Sequence, residues 1–123
     1  MILDLEALGK LASIMPHDKL IALATSYLSG LQSRGRRISA LMALGDLKTL
    51  TREGHDLKST SGSFGARRLQ SLGEKLMAVC SAEDLAEARA VAGAIAVALP
   101  DTIEATLRHY PEIRLDAAAR GLR

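Results

Sequence analysis

The chain has 123 residues and a formal net charge of +2, and 48% of its residues are hydrophobic while only 2% are aromatic. This length and hydrophobic content predict one folded domain with a continuous core and exclude a disordered chain. The small net charge gives no support for a nucleic-acid-binding protein, and the single cysteine, Cys80, excludes an internal disulfide and makes a cysteine-based zinc site implausible.

Apolar spacing predicts two helices in the first third of the chain. The first is short and has apolar residues at helical intervals, namely Leu3, Leu5, Leu8, Leu11, Ala12 and Met15. Pro16 marks its end. The second is predicted from about His17 to Leu44, and Gly30 and Gly35 weaken its middle. We therefore expect a bend or a break near residues 33–37.

A third helix is predicted to begin after Gly45-Asp46, which end the second helix and cap the next, and to run to about Ser63. Its apolar and small residues repeat at intervals of three and four, namely Leu47, Leu50, Gly54, Leu57, Ser61 and Phe64. Such a seam faces the core of a bundle. At about 100° per residue, His55 lies beside the seam and should be exposed to solvent. The commonest explanation of an isolated histidine there is a surface residue without a function.

Two further helices complete the predicted fold. Gly65 separates the third helix from a fourth, and a fifth follows a turn at residues 81–84. Pro100 is expected to kink or end the fifth helix, with residues 102–110 as a further helical stretch. No segment approaches the roughly 20 apolar residues of a membrane span, so a soluble, cytoplasmic protein is expected. The prediction is an all-α protein: an antiparallel four-helix bundle with an additional short N-terminal helix in residues 1–110, and a C-terminal tail in 111–123.

The segment around the histidine carries the most informative pattern in the chain. Residues of defined type occur at fixed spacing, namely His55, Leu57, Lys58, Ser59, Thr60, Ser61, Gly62, Phe64, Gly65, Ala66 and Leu69. This pattern resembles the histidine-containing phosphotransfer (HPt) domains of bacterial and plant multistep phosphorelays. Their signature reads roughly His-x-Leu-Lys-Gly, then small residues, then an apolar-Gly-Ala group that opens the next helix. Residue type and spacing agree over about fifteen positions, which chance rarely provides.

The resemblance implies roles for four residues. His55 would accept the phosphoryl group, and Lys58 would lie near it and supply one positive charge. Ser59 stands where the family most often has glycine, and its small side chain should preserve access for a partner while adding a hydroxyl group. Gly62 shares the same face of the helix and would also leave room for a partner.

One position departs from the family in a way that affects the histidine. Many members carry Glu or Gln twenty-two residues after the histidine, where it hydrogen-bonds and orients the imidazole, but this chain has Met77 there. A thioether is a weak acceptor and does not hold a ring N–H firmly. Glu74, about one turn earlier, is the nearest substitute; the other explanation of Glu74 is a solvated surface charge.

The chemistry of phosphoryl transfer accounts for these residue types. A neutral imidazole offers one unprotonated nitrogen as a nucleophile, and an exposed histidine with a pKa near 6.5 is largely in that form at neutral pH. The resemblance implies that the carboxylate and Mg²⁺ come from the partner, a response-regulator receiver domain, including those of hybrid sensor kinases. This chain would then have no cofactor, metal site or ATP site of its own. It would be a monomeric carrier rather than an enzyme.

The remaining basic residues and histidines are assigned mostly to local structure. His17 lies at a helix start and His109 near a helix end, so neither is a catalytic candidate. Arg67 and Arg68 begin the fourth helix and are candidates either for contact with an acidic receiver surface or for solvation alone. A third basic cluster is interpreted as solvating a bend, namely Arg34, Arg36 and Arg37.

Two alternative functions are carried forward. The first is the dimerisation domain of a sensor kinase, but that family typically has a proline soon after its histidine and a following ATP-binding domain. In this chain Thr60 and Ser61 continue the helix, and too few residues follow to form such a domain. The second is an HPt-like module without phosphorylation that binds and sequesters a receiver, which Met77 and Ser59 modestly support.

Overall fold

The computed structural model describes residues 2–114, and these residues form helices and connections without any strand. The helices are α1 (Leu5–Ile14), α2 (His17–Leu44), α3 (Leu47–Ser63), α4 (Arg67–Ser81) and α5 (Leu85–His109). Helices α2 to α5 pack as a bundle, and α1 packs against α2 and α3. The predicted all-α bundle with a short N-terminal helix is therefore confirmed.

Local capping explains why α2 stops and α3 starts within three residues. Gly45 adopts a left-handed conformation with φ of 68°, and its N–H donates to the carbonyls of Leu41 and Met42. The Asp46 side chain then accepts a hydrogen bond from the backbone N–H of Thr49 at 3.1 Å. Because the connection is so short, α2 and α3 are antiparallel neighbours. His55 lies halfway along α3, and it is therefore away from both ends of the bundle.

The turn between α3 and α4 is also the attachment point of α1. Gly65 has φ of 70°, and a Cβ atom there would lie 2.6 Å from the carbonyl oxygen of Asp4. The backbone N–H of Asp4 donates to the carbonyl of Gly65 at 2.8 Å. Glycine is therefore required at position 65 both for the conformation and for the close approach of the chain before α1.

The core is built mainly from aliphatic side chains, as the low aromatic content predicts. Its most deeply buried members come from α2 to α5 and include Leu28, Leu31, Leu50, Leu57, Leu69, Leu76 and Ile95. The rings of Tyr27 and Phe64 stack with centroids 4.6 Å apart. The Tyr27 hydroxyl hydrogen-bonds the buried Ser61 hydroxyl at 2.9 Å, and burial raises the pKa of Tyr27 to about 12. The α3 seam predicted from sequence thus faces the core.

A break in α2 and an end of α5 at its proline are not found, because α2 continues through residues 33–37 and α5 continues through Pro100. Gly35 lies at a helix contact, where a Cβ atom would be 2.9 Å from Cδ1 of Leu99. Its small size serves packing and does not break the helix. Pro100 is exposed, so the backbone acceptor that it leaves without a helical partner lies on the solvent side of α5.

Two findings bear on what was expected of the last quarter of the chain. By length and composition alone, α5 could cross a membrane: it has 25 residues and a mean hydropathy of 1.4 over its most apolar window. Several of its apolar side chains instead lie in the bundle core, among them Val91, Ile95 and Leu99. In the predicted tail, Ile113 is only 5% exposed, so core packing extends past residue 110. The rest of the tail, residues 115–123, lies outside the described residues.

Candidate functional site

His55 stands on the outside of the bundle. Its side chain is 65% exposed, whereas Gly54 and Leu57 on the same helix are buried. Among the described residues no side chain or backbone group hydrogen-bonds the imidazole. The nearest charged atom recorded is Oδ1 of Asp56, 3.8 Å from Nδ1. The ring is therefore reachable from solvent, which a phosphoacceptor requires.

Lys58 lies one turn after His55 and pairs with an acidic residue on the neighbouring helix. Its Nζ atom donates to Oε1 of Glu74 in α4 at 3.4 Å. The predicted contact between Glu74 and the imidazole is not found among the described residues, because Glu74 is directed to the lysine. The Lys58 side chain is 40% exposed and that of Glu74 is 67% exposed, so the pair is weak and open to an incoming anion.

The two small residues on the histidine face have different surroundings. Ser59 is exposed, and its backbone carbonyl accepts a hydrogen bond from the Ser63 hydroxyl. Gly62 is half-buried, and a Cβ atom there would lie 2.9 Å from Nε2 of Gln70. The absence of a side chain at position 62 therefore accommodates Gln70 of α4, in addition to any access that it gives a partner.

Met77 occupies part of the contact between α3 and α4. Its Cγ atom lies 3.0 Å from the position that a Cβ atom on Gly54 would take. The side chain is half-buried, and it makes no hydrogen bond in the part of the chain that the structure describes. It therefore fills space next to the residue that precedes His55. It supplies no polar anchor for the ring.

The family model described as Hpt domain matches residues 22–109, which include the histidine helix and most of the bundle. The chain belongs to the Hpt domain family. Comparisons with curated proteins and with solved structures found no match. Hpt domains act in histidine phosphotransfer within phosphorelays, interact with receiver domains of response regulators, and carry phosphoryl groups without a catalytic ATP site of their own. Helix α1 lies outside the matched residues.

The two arginines at the start of α4 differ in this Hpt domain. Nε and Nη2 of Arg67 donate to Oδ2 of Asp4 at 3.1 and 2.8 Å, and its Nη1 donates to Gln70. Hydrogen bonding from Arg67 holds the pKa of Asp4 below its ordinary value. Arg68 is exposed and forms no ion pair within residues 2–114. Arg67 thus fastens α1 to the bundle, while the charge of Arg68 faces solvent.

Sequence reasoning missed a buried charge cluster directly before the histidine. Glu53 accepts from Nη1 of Arg34 at 3.1 Å and from Nε of Arg37 at 2.6 Å, so it links α3 to α2. The interpretation of the basic cluster as solvating a bend is therefore wrong for Arg34 and Arg37, which bind Glu53 from an unbroken α2, whereas Arg36 is exposed to solvent. The sequence did contain a signal for this cluster. Glu53 is a lone acid at the edge of the α3 seam, and the helix that it faces, α2, is rich in arginine.

The other two histidines are engaged in structural contacts, one between distant parts of the chain and one between neighbours. His17 hydrogen-bonds the side chain of Glu112, which joins the start of α2 to the segment after α5. The ring of His109 meets that of Tyr110 edge-on, with centroids 4.7 Å apart. Within the described residues no group of three or more His, Cys, Asp or Glu side chains could hold a metal ion.

Proposed function

We propose that this Hpt domain carries a phosphoryl group on His55, accepting it from the aspartyl phosphate of one receiver domain and passing it to another. The observation that supports this assignment most directly is the exposure of the imidazole at mid-height of α3, beside a lysine and small residues. A flat receiver surface needs such an unobstructed approach. The other two histidines are engaged in contacts elsewhere in the fold.

The transfer needs little from this chain beyond a positioned nucleophile. The lone pair of one imidazole nitrogen attacks phosphorus, a P–N bond forms, and the bond from phosphorus to the receiver carboxylate oxygen breaks with its electron pair remaining on that oxygen. The transition state is loose and its charge lies on the equatorial oxygens, so positioning and positive charge supply the catalysis. Lys58 provides one such charge, and the receiver provides Mg²⁺ and the reacting carboxylate.

The partners that follow from this role are receiver domains, either free response regulators or those attached to hybrid sensor kinases. Contact must be transient, because a carrier has to release one receiver before it serves the next. Arg68, exposed at the start of α4, is a candidate for contact with an acidic receiver surface. Ser59 and Gly62 belong to the face that the receiver would cover. We place this exchange in the cytoplasm and assign the carrier as a monomer.

The test is phosphotransfer from a receiver that carries radiolabelled aspartyl phosphate. The wild-type chain should acquire label that is lost in acid and retained in base, as expected of a phosphoramidate. His55→Gln should acquire none while keeping the helical circular dichroism of the wild type. His109→Gln is the matched control, because that histidine is also exposed and helical, and it should accept label normally. Label on His55→Gln would refute the assignment.

A second candidate function is sequestration of a receiver without transfer. It is favoured by one observation, namely that Met77 stands at the orienting position and supplies no hydrogen bond to the imidazole. In that case the chain would bind a phosphorylated receiver tightly but acquire no label. Binding measured by calorimetry beside the transfer assay therefore separates the two functions.

A further inference from the structure

The imidazole of His55 has one polar neighbour whose role neither the family pattern nor the sequence pattern assigns. Oδ1 of Asp56 lies 3.8 Å from Nδ1 of the ring. We propose that Asp56 is the positioning residue for His55: its carboxylate accepts a hydrogen bond from Nδ1–H and leaves Nε2 as the nitrogen that takes the phosphoryl group. This inference rests on the proposed function, and it names Asp56 as the residue that orients the imidazole, a role that Met77 does not fill.

The carboxylate of Asp56 also lies near a positive charge on another helix. Its second oxygen, Oδ2, lies 3.9 Å from Nη1 of Arg34 in α2. Arg34 is itself nearly buried and held by a hydrogen bond to Glu53. The carboxylate of Asp56 therefore directs one oxygen at a fixed guanidinium group and the other at the imidazole. The attraction of Arg34 favours this orientation of the carboxylate without fixing it.

The remaining distance is short enough for a small rotation to close. At 3.8 Å the contact is electrostatic and is longer than a hydrogen bond. Rotation about the bond that joins the ring to Cβ, and about the corresponding bond of the carboxyl group, has a broad energy minimum. Both side chains are exposed, so neither is held back by packing. Nδ1–H can thus reach Oδ1 without any movement of the helix.

The chemical consequence follows from the two nitrogens of a neutral imidazole. One carries hydrogen and the other carries the lone pair, and a hydrogen-bond acceptor beside one of them selects the tautomer. An acceptor at Nδ1 therefore makes Nε2, the outer nitrogen, the nucleophile. Arg34 offsets part of the negative charge that Asp56 presents to an incoming phosphoryl group. Glu74 is engaged with Lys58, which leaves Asp56 as the carboxylate recorded nearest the ring.

The direct test measures the tautomer of His55 in the unphosphorylated chain, by ring ¹⁵N chemical shifts above the pH at which the imidazole is charged. Wild type should hold a larger Nδ1–H fraction than a free histidine does. Asp56→Ala should shift the population towards the Nε2–H form by about two- to fivefold, the range that an exposed charged contact supplies. Asp56→Asn should lie between wild type and Asp56→Ala, because its amide oxygen accepts a hydrogen bond but carries no charge. Asp101→Ala removes an exposed carboxylate on α5 and should change nothing.

A second measurement connects the tautomer to transfer. The rate of phosphoryl acceptance by Asp56→Ala should fall by a similar factor of about two to five, with the rate of Asp56→Asn between those of Asp56→Ala and wild type. An unchanged tautomer ratio in Asp56→Ala would overturn the inference, as would a larger shift in Asp56→Asn than in Asp56→Ala. Because the NMR measurement needs no receiver, it can refute the role of Asp56 even when His55 is shown to accept phosphate. Absence of label on wild type would instead count against the proposed function.

Discussion

Gly54 and Gly73 face each other across the contact between α3 and α4, with each backbone occupying the space of the other's missing side chain. A Cβ atom on Gly54 would lie 2.8 Å from the carbonyl oxygen of Gly73, and one on Gly73 would lie 2.7 Å from that of Gly54. Real Cβ atoms do not approach an oxygen so closely. The pair therefore sets the spacing of the helix that carries His55 against its neighbour.

Substitution of this pair should destabilise the bundle. Gly54→Ala forces the two backbones apart, and we expect the free energy of unfolding to fall by about 1–3 kcal/mol, the usual cost of overpacking. Gly93→Ala is the control, since a Cβ atom there has nothing within 4 Å. It should stabilise the chain by about 0.5–1 kcal/mol through better helix propensity. Urea denaturation of both variants measures the difference, and equal stabilities would contradict the close approach.

Lys58 should affect the rate of phosphoryl transfer but not folding. We expect Lys58→Ala to slow acceptance from a phosphorylated receiver by about tenfold, which corresponds to a loss of roughly 1.4 kcal/mol of transition-state stabilisation. Lys58→Arg should retain most of the rate because the charge remains. Lys19→Ala, an exposed lysine at the start of α2, serves as control. Wild-type rates for Lys58→Ala would show that its charge has no role.

Glu53 should contribute to stability through its two arginines. In Glu53→Ala the nearly buried guanidinium of Arg34 loses its closest counter-charge, and we expect a loss of about 1–3 kcal/mol, less than for a fully buried pair because Arg37 is half exposed. Glu104→Ala removes an exposed acid from α5 and should change stability little. Thermal and urea unfolding provide the comparison. The prediction fails if the two variants are equally stable.

The attachment of α1 should weaken in acid. Arg67 lowers the pKa of Asp4 from its ordinary value of 3.8, so the contact stabilises the fold above that value and is lost as the pH falls through the lower, folded-state pKa. In Arg67→Gln the pKa of Asp4 should rise towards 3.8, whereas Arg68→Gln should leave it unchanged. Carboxyl chemical shifts followed by NMR titration report both values. The same pKa in wild type and Arg67→Gln would count against the ion pair.

The fold was predictable where local chemistry determines it. The spacing of Leu50, Leu57 and Ser61 identified the buried side of α3, and Gly45 marked the end of α2, because helical periodicity and capping depend on nearby residues. The effects of Gly35 and Pro100 were not predictable in the same way. Whether a glycine bends a helix or accepts a neighbour, and whether a proline faces water or the core, depends on packing that forms only in the folded bundle.

The sequence predicted the exposure of the central residue of the site, but it did not predict which partners the neighbouring charged residues have. His55 is exposed as expected because its angle from the seam is a local property. The partner of Glu53 depends on how α2 is aligned against α3, and the partner of Glu74 depends on the alignment of α4. A change of one residue in either alignment would give different pairs. For the same reason the bond from Arg67 to Asp4 was not expected from sequence.

Tyr27, which stacks on Phe64, can serve as an intrinsic fluorescent reporter of the bundle. There is no tryptophan, and the two tyrosines are its main fluorophores. The Tyr110 hydroxyl is buried and has no hydrogen-bond partner among the described residues, so Tyr110→Phe removes the second emitter without breaking a recorded bond. The remaining emission would come from a ring that touches the histidine helix through both a hydroxyl and an aromatic face. Movement of that helix would then change the tyrosine fluorescence, without any attached dye.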